Sequence, residues 1–257
     1  MKGIVTILGS GTSQGVPVIA CECHVCQSKA SKDKRSRASI MITTEHNNIV
    51  IDTGPDFRMQ MLRENVKSLQ AVVFTHEHKD HIAGLDDVRA FNYRDQKPME
   101  IFCSAGVEKA LKREYEYVFA DTKYPGIPQL NLNIIENQSF KIGDLNLIPI
   151  LVYHYKLPVF GYRMGDLTYI TDAKTISPEE TEKVKGTKTL IVNALHCERH
   201  ISHFNLEEAL AFIEKVKPEK AYLTHISHLF ETHDKIEELL PENVFAAYDG
   251  LQLPFEY

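Results

Sequence analysis

The sequence predicts an α/β fold in which two β-sheets pack on one another with helices outside. Short apolar strands alternate with helical stretches along the chain, and the strands arrive in two runs, each followed by helices that can cover it. No low-complexity linker or fixed-period repeat interrupts them, so the 257 residues read as one domain, 1–257.

The first run is "GIVTILGS" (3–10), "ASIMITTE" (38–45), "NNIVIDTG" (47–54) and "LQAVVFTH" (69–76), each rich in β-branched residues. A helix follows from about Leu85 to Tyr93, then the strand "MEIFCS" (99–104) and the helix "GVEKALKREYEYVF" (106–119). "DTKYPGIPQ" (121–129) reads as a surface excursion because Pro and Gly punctuate it. The second run is "LNIIE" (132–136), "SFKIGDLNLIPILV" (139–152), "VFGYRMG" (159–165) and "LTYITDA" (167–173), with turn signals at Gly143-Asp144 and Gly165-Asp166. "TLIVNAL" (189–195) and "KAYLTH" (220–225) then alternate with the helices "NLEEALAFIEKV" (205–216) and "KIEELLP" (235–241). Asn205 and Glu208 have capping-box spacing, with Asn in the usual Ser or Thr place.

Composition excludes some functions. The net charge is -6, and no basic run exceeds "KDKRSR" (32–37), which argues against nucleic acid as a partner. The apolar stretch before Gly9 is too short for a signal sequence, and nothing approaches the ~18 apolar residues of a membrane span, so no membrane partner and a cytoplasmic location are expected. Five cysteines, three of them close together, suit a metal cluster in a reducing compartment better than a disulfide framework.

The chemistry concentrates in "FTHEHKDHIAG" (74–84). His76 and His78 stand two residues apart where a strand runs into a loop, so their imidazoles can converge on one ion, while Asp80 and His81 lie a turn further on and can face a second. A solvated loop would explain any one of these histidines. It does not explain four ligand-type side chains together at a strand end. The cluster "CECHVC" places Cys21, Cys23 and Cys26 as three thiolates around one zinc, one ligand short of a closed tetrahedral site. A redox pair, Cys23 with Cys26, is the rival reading, but it does not use Cys21. The glycines of "GSGTSQG" (Gly9, Gly11, Gly15) either let backbone approach a phosphate or make a tight hairpin, and the turn is favoured.

"HEHKDH" resembles the signature of the metallo-β-lactamase superfamily. The resemblance extends to "LGSGTSQGVPV", "IDTGPDFR", "THISH" and the closing Asp249-Gly250, and so spans nearly the whole chain. It implies a four-layer αββα sandwich with a dinuclear site at the edge of two sheets. It supplies His154, the bridging carboxylate Asp172 and His225 as the remaining ligands, so that His76, His78, His154 and Asp172 would hold one divalent ion, and Asp80, His81, His225 and Asp172 the other. Similarity to the PhnP-like cyclic phosphodiesterase branch adds His228 as fourth ligand of a structural zinc, and His203 as general acid with His200 its weaker neighbour; Asp80 is also a catalytic candidate. The segments 86–94 and 121–129 do not match that branch and are expected to shape substrate choice.

With two manganese or zinc ions and two carboxylates, a hydroxide-bearing centre would carry about one positive charge and suit a singly charged phosphodiester. A small-molecule phosphodiester is therefore the expected substrate, and a homodimer is left open. Within the superfamily the rivals are a tRNA 3'-processing nuclease, a thioesterase and a carrier like the PQQ synthesis protein B. A nuclease usually needs a basic RNA-clamping arm that this acidic chain lacks.

Overall fold

Strand residues alternate in direction, and here both faces of the strands are apolar. In "NIVI", Ile49 and Ile51 enter one buried cluster and Val50 another; in "AVV", Ala71 and Val73 go one way and Val72 the other. The same split recurs at Ile191 against Leu190 and Val192, and at Tyr222 against Ala221 and Leu223. A strand buried on both faces must lie between two layers. The computed structural model, described for residues 1–121 and 125–257, resolves this into three apolar layers separating helices, sheet, sheet and helices.

In chain order the strands are β1 (Lys2–Gly9), β2 (Ser39–Thr43), β3 (Asn48–Ile51), β4 (Ala71–Val73), β5 (Met99–Cys103), β6 (Leu130–Ile134), β7 (Phe140–Ile142), β8 (Leu145–His154), β9 (Leu157–Met164), β10 (Leu167–Ile170), β11 (Thr175–Ile176), β12 (Thr189–Asn193), β13 (Lys220–Thr224), β14 (Val244–Ala246) and β15 (Gln252–Glu256). Among the described residues they form two sheets, ordered β15-β1-β2-β3-β4-β5-β6 and β11-β8-β9-β10-β12-β13-β14, with β7 beside β8. Ile7, Ile40, Ile51 and Val73 of the first sheet meet Tyr162, Tyr169 and Tyr222 of the second in the central layer. Phe57, Met61, Phe91, Val107 and Leu111 cover the first sheet; Phe212, Ile213 and Ile236 cover the second.

Of the four helices the sequence places, those at 205–216 and 235–241 fall where expected, and the capping box at Asn205 makes both of its bonds before helix Leu206–Val216. Two differ. The stretch expected from Leu85 to Tyr93 begins as a 3₁₀ turn, Leu85–Val88, and becomes α-helical only over Arg89–Asp95. The helix expected over 106–119 breaks at Tyr115, where the backbone turns to φ -119° and ψ 39°, into Ala105–Glu114 and Glu116–Phe119, and the buried Tyr115 hydroxyl donates to Ile82 O at 2.7 Å. Helices Phe57–Arg63 and Pro178–Val184 were not anticipated. The excursion expected over 121–129 lies partly outside the described residues. No described helix is long and apolar enough to cross a membrane.

Candidate metal centre

Parallel strands deliver their C-terminal ends to one edge. β3 and β4 are parallel, as are β10, β12 and β13, and β8 shares the direction of β10 because each is antiparallel to β9. The residues leaving these strands are Asp52, His76, His154, Asp172 and His225. Asp52, Asp172 and His225 take left-handed φ values of +67°, +58° and +58°, a conformation that Asp and His adopt more readily than most residues and that turns the chain sharply at the strand end.

Close backbone approach positions the His-x-His-x-Asp-His segment. Thr53 N donates to His81 O, and Gly84 N to Thr53 O, both at 2.8 Å. A Cβ on Gly54 would sit 2.1 Å from Asp80 O, and one on Gly84 2.1 Å from Gly54 O, so the loop after β3 and the turn after His78 meet only without side chains. Phe160 N donates to Thr75 O at 3.0 Å, tying the second sheet to the same loop.

Three of the ligand histidines are then oriented from behind. His81 Nδ1 donates to Asp52 Oδ2 at 2.7 Å, and that carboxylate also accepts from Thr75 N and Thr75 Oγ1 at 2.9 and 2.8 Å. With its proton given to Asp52, the Thr75 hydroxyl accepts from His76 Nδ1 at 3.0 Å; His154 Nδ1 donates to Ser202 O at 2.8 Å. These bonds place the protons on Nδ1 and leave Nε2 of His76, His81 and His154 to present a lone pair.

Those lone pairs converge. Asp172 stands at the middle, Oδ2 lying 3.2 Å from His81 Nε2 and Oδ1 3.2 Å from His225 Nε2. Asp80 Oδ2 is 3.3 Å from His81 Nε2. Ring centroids of His76 and His78 are 4.7 Å apart, and those of His78 and His154 are 5.1 Å apart. His78 is the exposed member; His76, His81, Asp172 and His225 are buried. His203 is buried between His154 and His225, at 4.4 and 4.7 Å, with Nδ1 3.7 Å from Asp172 Oδ1.

The donor set fits a cation. Among the described residues, His76 Nε2, His81 Nε2 and both nitrogens of His225 are buried without a hydrogen-bond partner, a costly arrangement unless a positive charge fills the space. Burial opposes charge on His81, yet Asp172, Asp52 and Asp80 outweigh it and lift the ring well above the ordinary imidazole range, so the three carboxylates favour a positive charge at Nε2, whether a second proton or a metal ion in its place. Burial likewise opposes ionisation of Asp172, but His225 and His81 hold its carboxyl well below the usual range. Burial, with His225 adding, pushes His203 down to about 2, so that ring rests neutral.

A second group lies on the cysteine loop. Cys21 Sγ and Cys23 Sγ are 3.3 and 3.4 Å from His228 Nδ1, and Cys26 Sγ accepts from Val18 N at 3.3 Å. Ligand atoms of Cys21, Cys23, Cys26 and His228 all lie within 4.8 Å of one another, a four-donor set with zinc-type chemistry. The contact with His228 draws the Cys23 thiol down to about 6, while burial raises Cys26 to about 11. Gly9 and Gly11 pack against the backbone of Arg37 and Arg35, in keeping with the turn reading.

The structure brings Cys21, Cys23, Cys26 and His228 into one four-donor group, and His76, Asp80, His81, His154, Asp172 and His225 into overlapping groups that also take in His203, with the exposed His78 beside them by its ring distances to His76 and His154. Sequence reasoning did not assign Asp52, Thr75 and Ser202. Asp52 carried a signal, a carboxylate directly after an apolar strand and before Thr-Gly, whereas the Ser202 contact is a backbone carbonyl and leaves no mark on the sequence.

A family model described as a beta-lactamase superfamily domain matches residues 47–226. The chain belongs to the beta-lactamase superfamily. Within the superfamily it resembles a solved diphosphatase of the PhnP family, with a TM-score of 0.93 and 36% identity over 99% of this chain and 98% of that one, which puts it in the PhnP-like branch. Zn²⁺-bound PqqB from Methylobacterium extorquens (TM-score 0.77, 17% identity, 97% and 99% covered) and the short form of human tRNase Z (0.68, 18%, 97% and 98%) share the superfamily fold. An octanoyltransferase of Porphyromonas gingivalis is 38% identical over 249 residues, 96% of this chain but 50% of that protein, so the chain spans half the length of this relative.

Proposed function

We propose that this hydrolase-type superfamily member is a dinuclear metal phosphodiesterase that opens a small cyclic phosphodiester. The observation that carries the reading is Asp172, whose two carboxylate oxygens face different histidines at 3.2 Å, as a bridging ligand would. His76, His78, His154 and Asp172 would hold one divalent ion, manganese or zinc, and Asp80, His81, His225 and Asp172 the other. When bound, such ions supply Lewis acidity to a phosphate oxygen and a water of lowered pKa. The protein's own part is orientation and proton control. Asp52, Thr75 and Ser202 hold three imidazoles in the ligating tautomer, and Asp80 and Asp172 limit the net charge so that a monoanionic diester is favoured. His203, neutral at rest, faces the centre; it would take a proton from solvent when the phosphate brings negative charge beside it, and pass that proton to the departing alkoxide, returning to the neutral ring. Cys21, Cys23, Cys26 and His228 would hold one structural zinc. We assign the chain to the cytoplasm on its cysteine usage, with a small-molecule substrate and no membrane or nucleic-acid partner.

His203→Ala tests the reading with two leaving groups. Loss of a general acid costs ~10²- to 10⁴-fold where the leaving group is a ribose alkoxide, and far less for a nitrophenolate, which departs unaided. Hydrolysis of a 2',3'-cyclic nucleotide is therefore expected to fall much further than that of bis(p-nitrophenyl) phosphate, with both ions retained. Equal losses would make His203 a binding or structural residue. A thioesterase is the second reading, favoured by the relative named for octanoyl transfer. An octanoyl thioester assayed beside the diesters distinguishes the two.

A further inference from the structure

The β8–β9 hairpin breaks a local rule directly after the site residue His154. Its register pairs His154 with Leu157, leaving Tyr155 and Lys156 as a two-residue loop. The first loop residue, Tyr155, has φ +57°, whereas Lys156 is not among the left-handed residues. Two-residue hairpins place Gly, Asn or Asp at such a position because a bulky side chain there is strained. Tyr155 makes no compensating burial, being 56% exposed. The strain therefore does nothing for folding that Gly would not do better. Strain kept against the folding interest marks a functional position.

Its surroundings say what the ring is for. Tyr155 directly follows His154, whose imidazole lies 4.4 Å from His203 and is tied to Ser202 O. The loop carrying Ser202 exposes Ile201 as well, at 70%, so an aromatic and an aliphatic side chain both stand free on segments that carry site residues. Lys156 Nζ sits over the Tyr155 ring, 5.4 Å from its centroid, placing a cation beside the aromatic face. An exposed aromatic ring with an adjacent ammonium suits a flat heterocycle attached to a phosphate.

Resting on the phosphodiesterase reading, we propose that Tyr155 is a specificity residue: it stacks on the base of a nucleoside cyclic phosphate, with Lys156 steadying the ring. The test uses Tyr155→Gly and Tyr155→Asn, which suit the left-handed conformation, and compares a 2',3'-cyclic purine nucleotide with a base-free ribose cyclic phosphate. Loss of stacking is expected to lower the preference for the base-bearing substrate by about tenfold, mostly through KM rather than kcat, while Tm is no lower than in the parent. An unchanged preference overturns the stacking role with phosphodiester hydrolysis still standing. A fall in Tm with equal losses on both substrates makes the tyrosine a folding residue and also overturns it. Failure of the parent enzyme to cleave any phosphodiester overturns both readings together.

Discussion

A histidine that ligates a cation has to offer a lone pair, and which nitrogen does so is decided by whatever holds the other. Here that decision is made by Asp52 for His81, by Thr75 for His76 and by the Ser202 carbonyl for His154. Asp52 is fully buried, and burial raises its carboxyl while His81 draws it back. Asp52→Asn keeps an acceptor of the same shape but removes the charge that makes His81 a strong donor. Metal affinity is expected to fall 10- to 100-fold, measured by titration against a competing chelator; unchanged affinity would leave Asp52 a packing residue. Asp172 stands differently, because it faces both groups. Asp172→Ala is expected to remove diesterase activity and at least one ion while the cysteine site keeps its metal, as elemental analysis would report. Surviving activity would move the bridge elsewhere.

The elements matter through their ends. β3 and β4 run in one direction within the first sheet, and β8, β10 and β13 in one direction within the second, so each sheet brings its ligand-type residues to one edge; those directions follow from pairing rather than from any single strand's composition. Strand identity was legible because β-branched runs are a local signal. The break at Tyr115 left no such local signal, and the partner of its hydroxyl, Ile82 O, lies 33 positions away in the chain. The cysteine loop is also an element-scale device: its helix His24–Gln27 has four residues, and a turn that short needs an external fastening. Cys23→Ser is accordingly expected to lower Tm by roughly 5–10 °C while kcat changes little, since the structural zinc proposed for this loop would contribute folding free energy. Thermal melts and diester kinetics on the same preparation check this, and lost turnover at an unchanged Tm would move the cysteine site into the chemistry.

At the scale of the whole molecule, the chain's two ends are joined around a buried cation. Arg35 donates to Ser10 Oγ at 2.9 Å and to Ala247 O at 2.5 Å, and its Nη2 lies 3.4 Å from His233 Nδ1. Burial, then Arg35 and Lys32, push His233 down to about 4, although Asp234 and Asp33 work the other way. An unfolded histidine takes its proton near pH ~6.5. Between about 6.5 and 4 the unfolded state thus binds one more proton, so stability is complete above that window and declines as pH falls through it, by about 1.4 kcal/mol per pH unit. His233→Gln should remove about 2 kcal/mol from the stability difference between pH 7 and pH 5, read by urea unfolding; an undiminished difference would assign the acid sensitivity to other groups. The sequence by itself determined the layered class, the strands other than β11, β14 and β15, and the ligand types, because periodicity and motif spacing act over a few residues. It also marked His76, His78, Asp80, His81 and the three cysteines. Only the tertiary structure decided that Asp172 stands between His81 and His225, that Asp52 holds His81 from behind, and that His228 meets thiols more than 200 positions away. Such contacts depend on strand order and on the packing of one sheet against the other, and no short stretch of sequence contains that information.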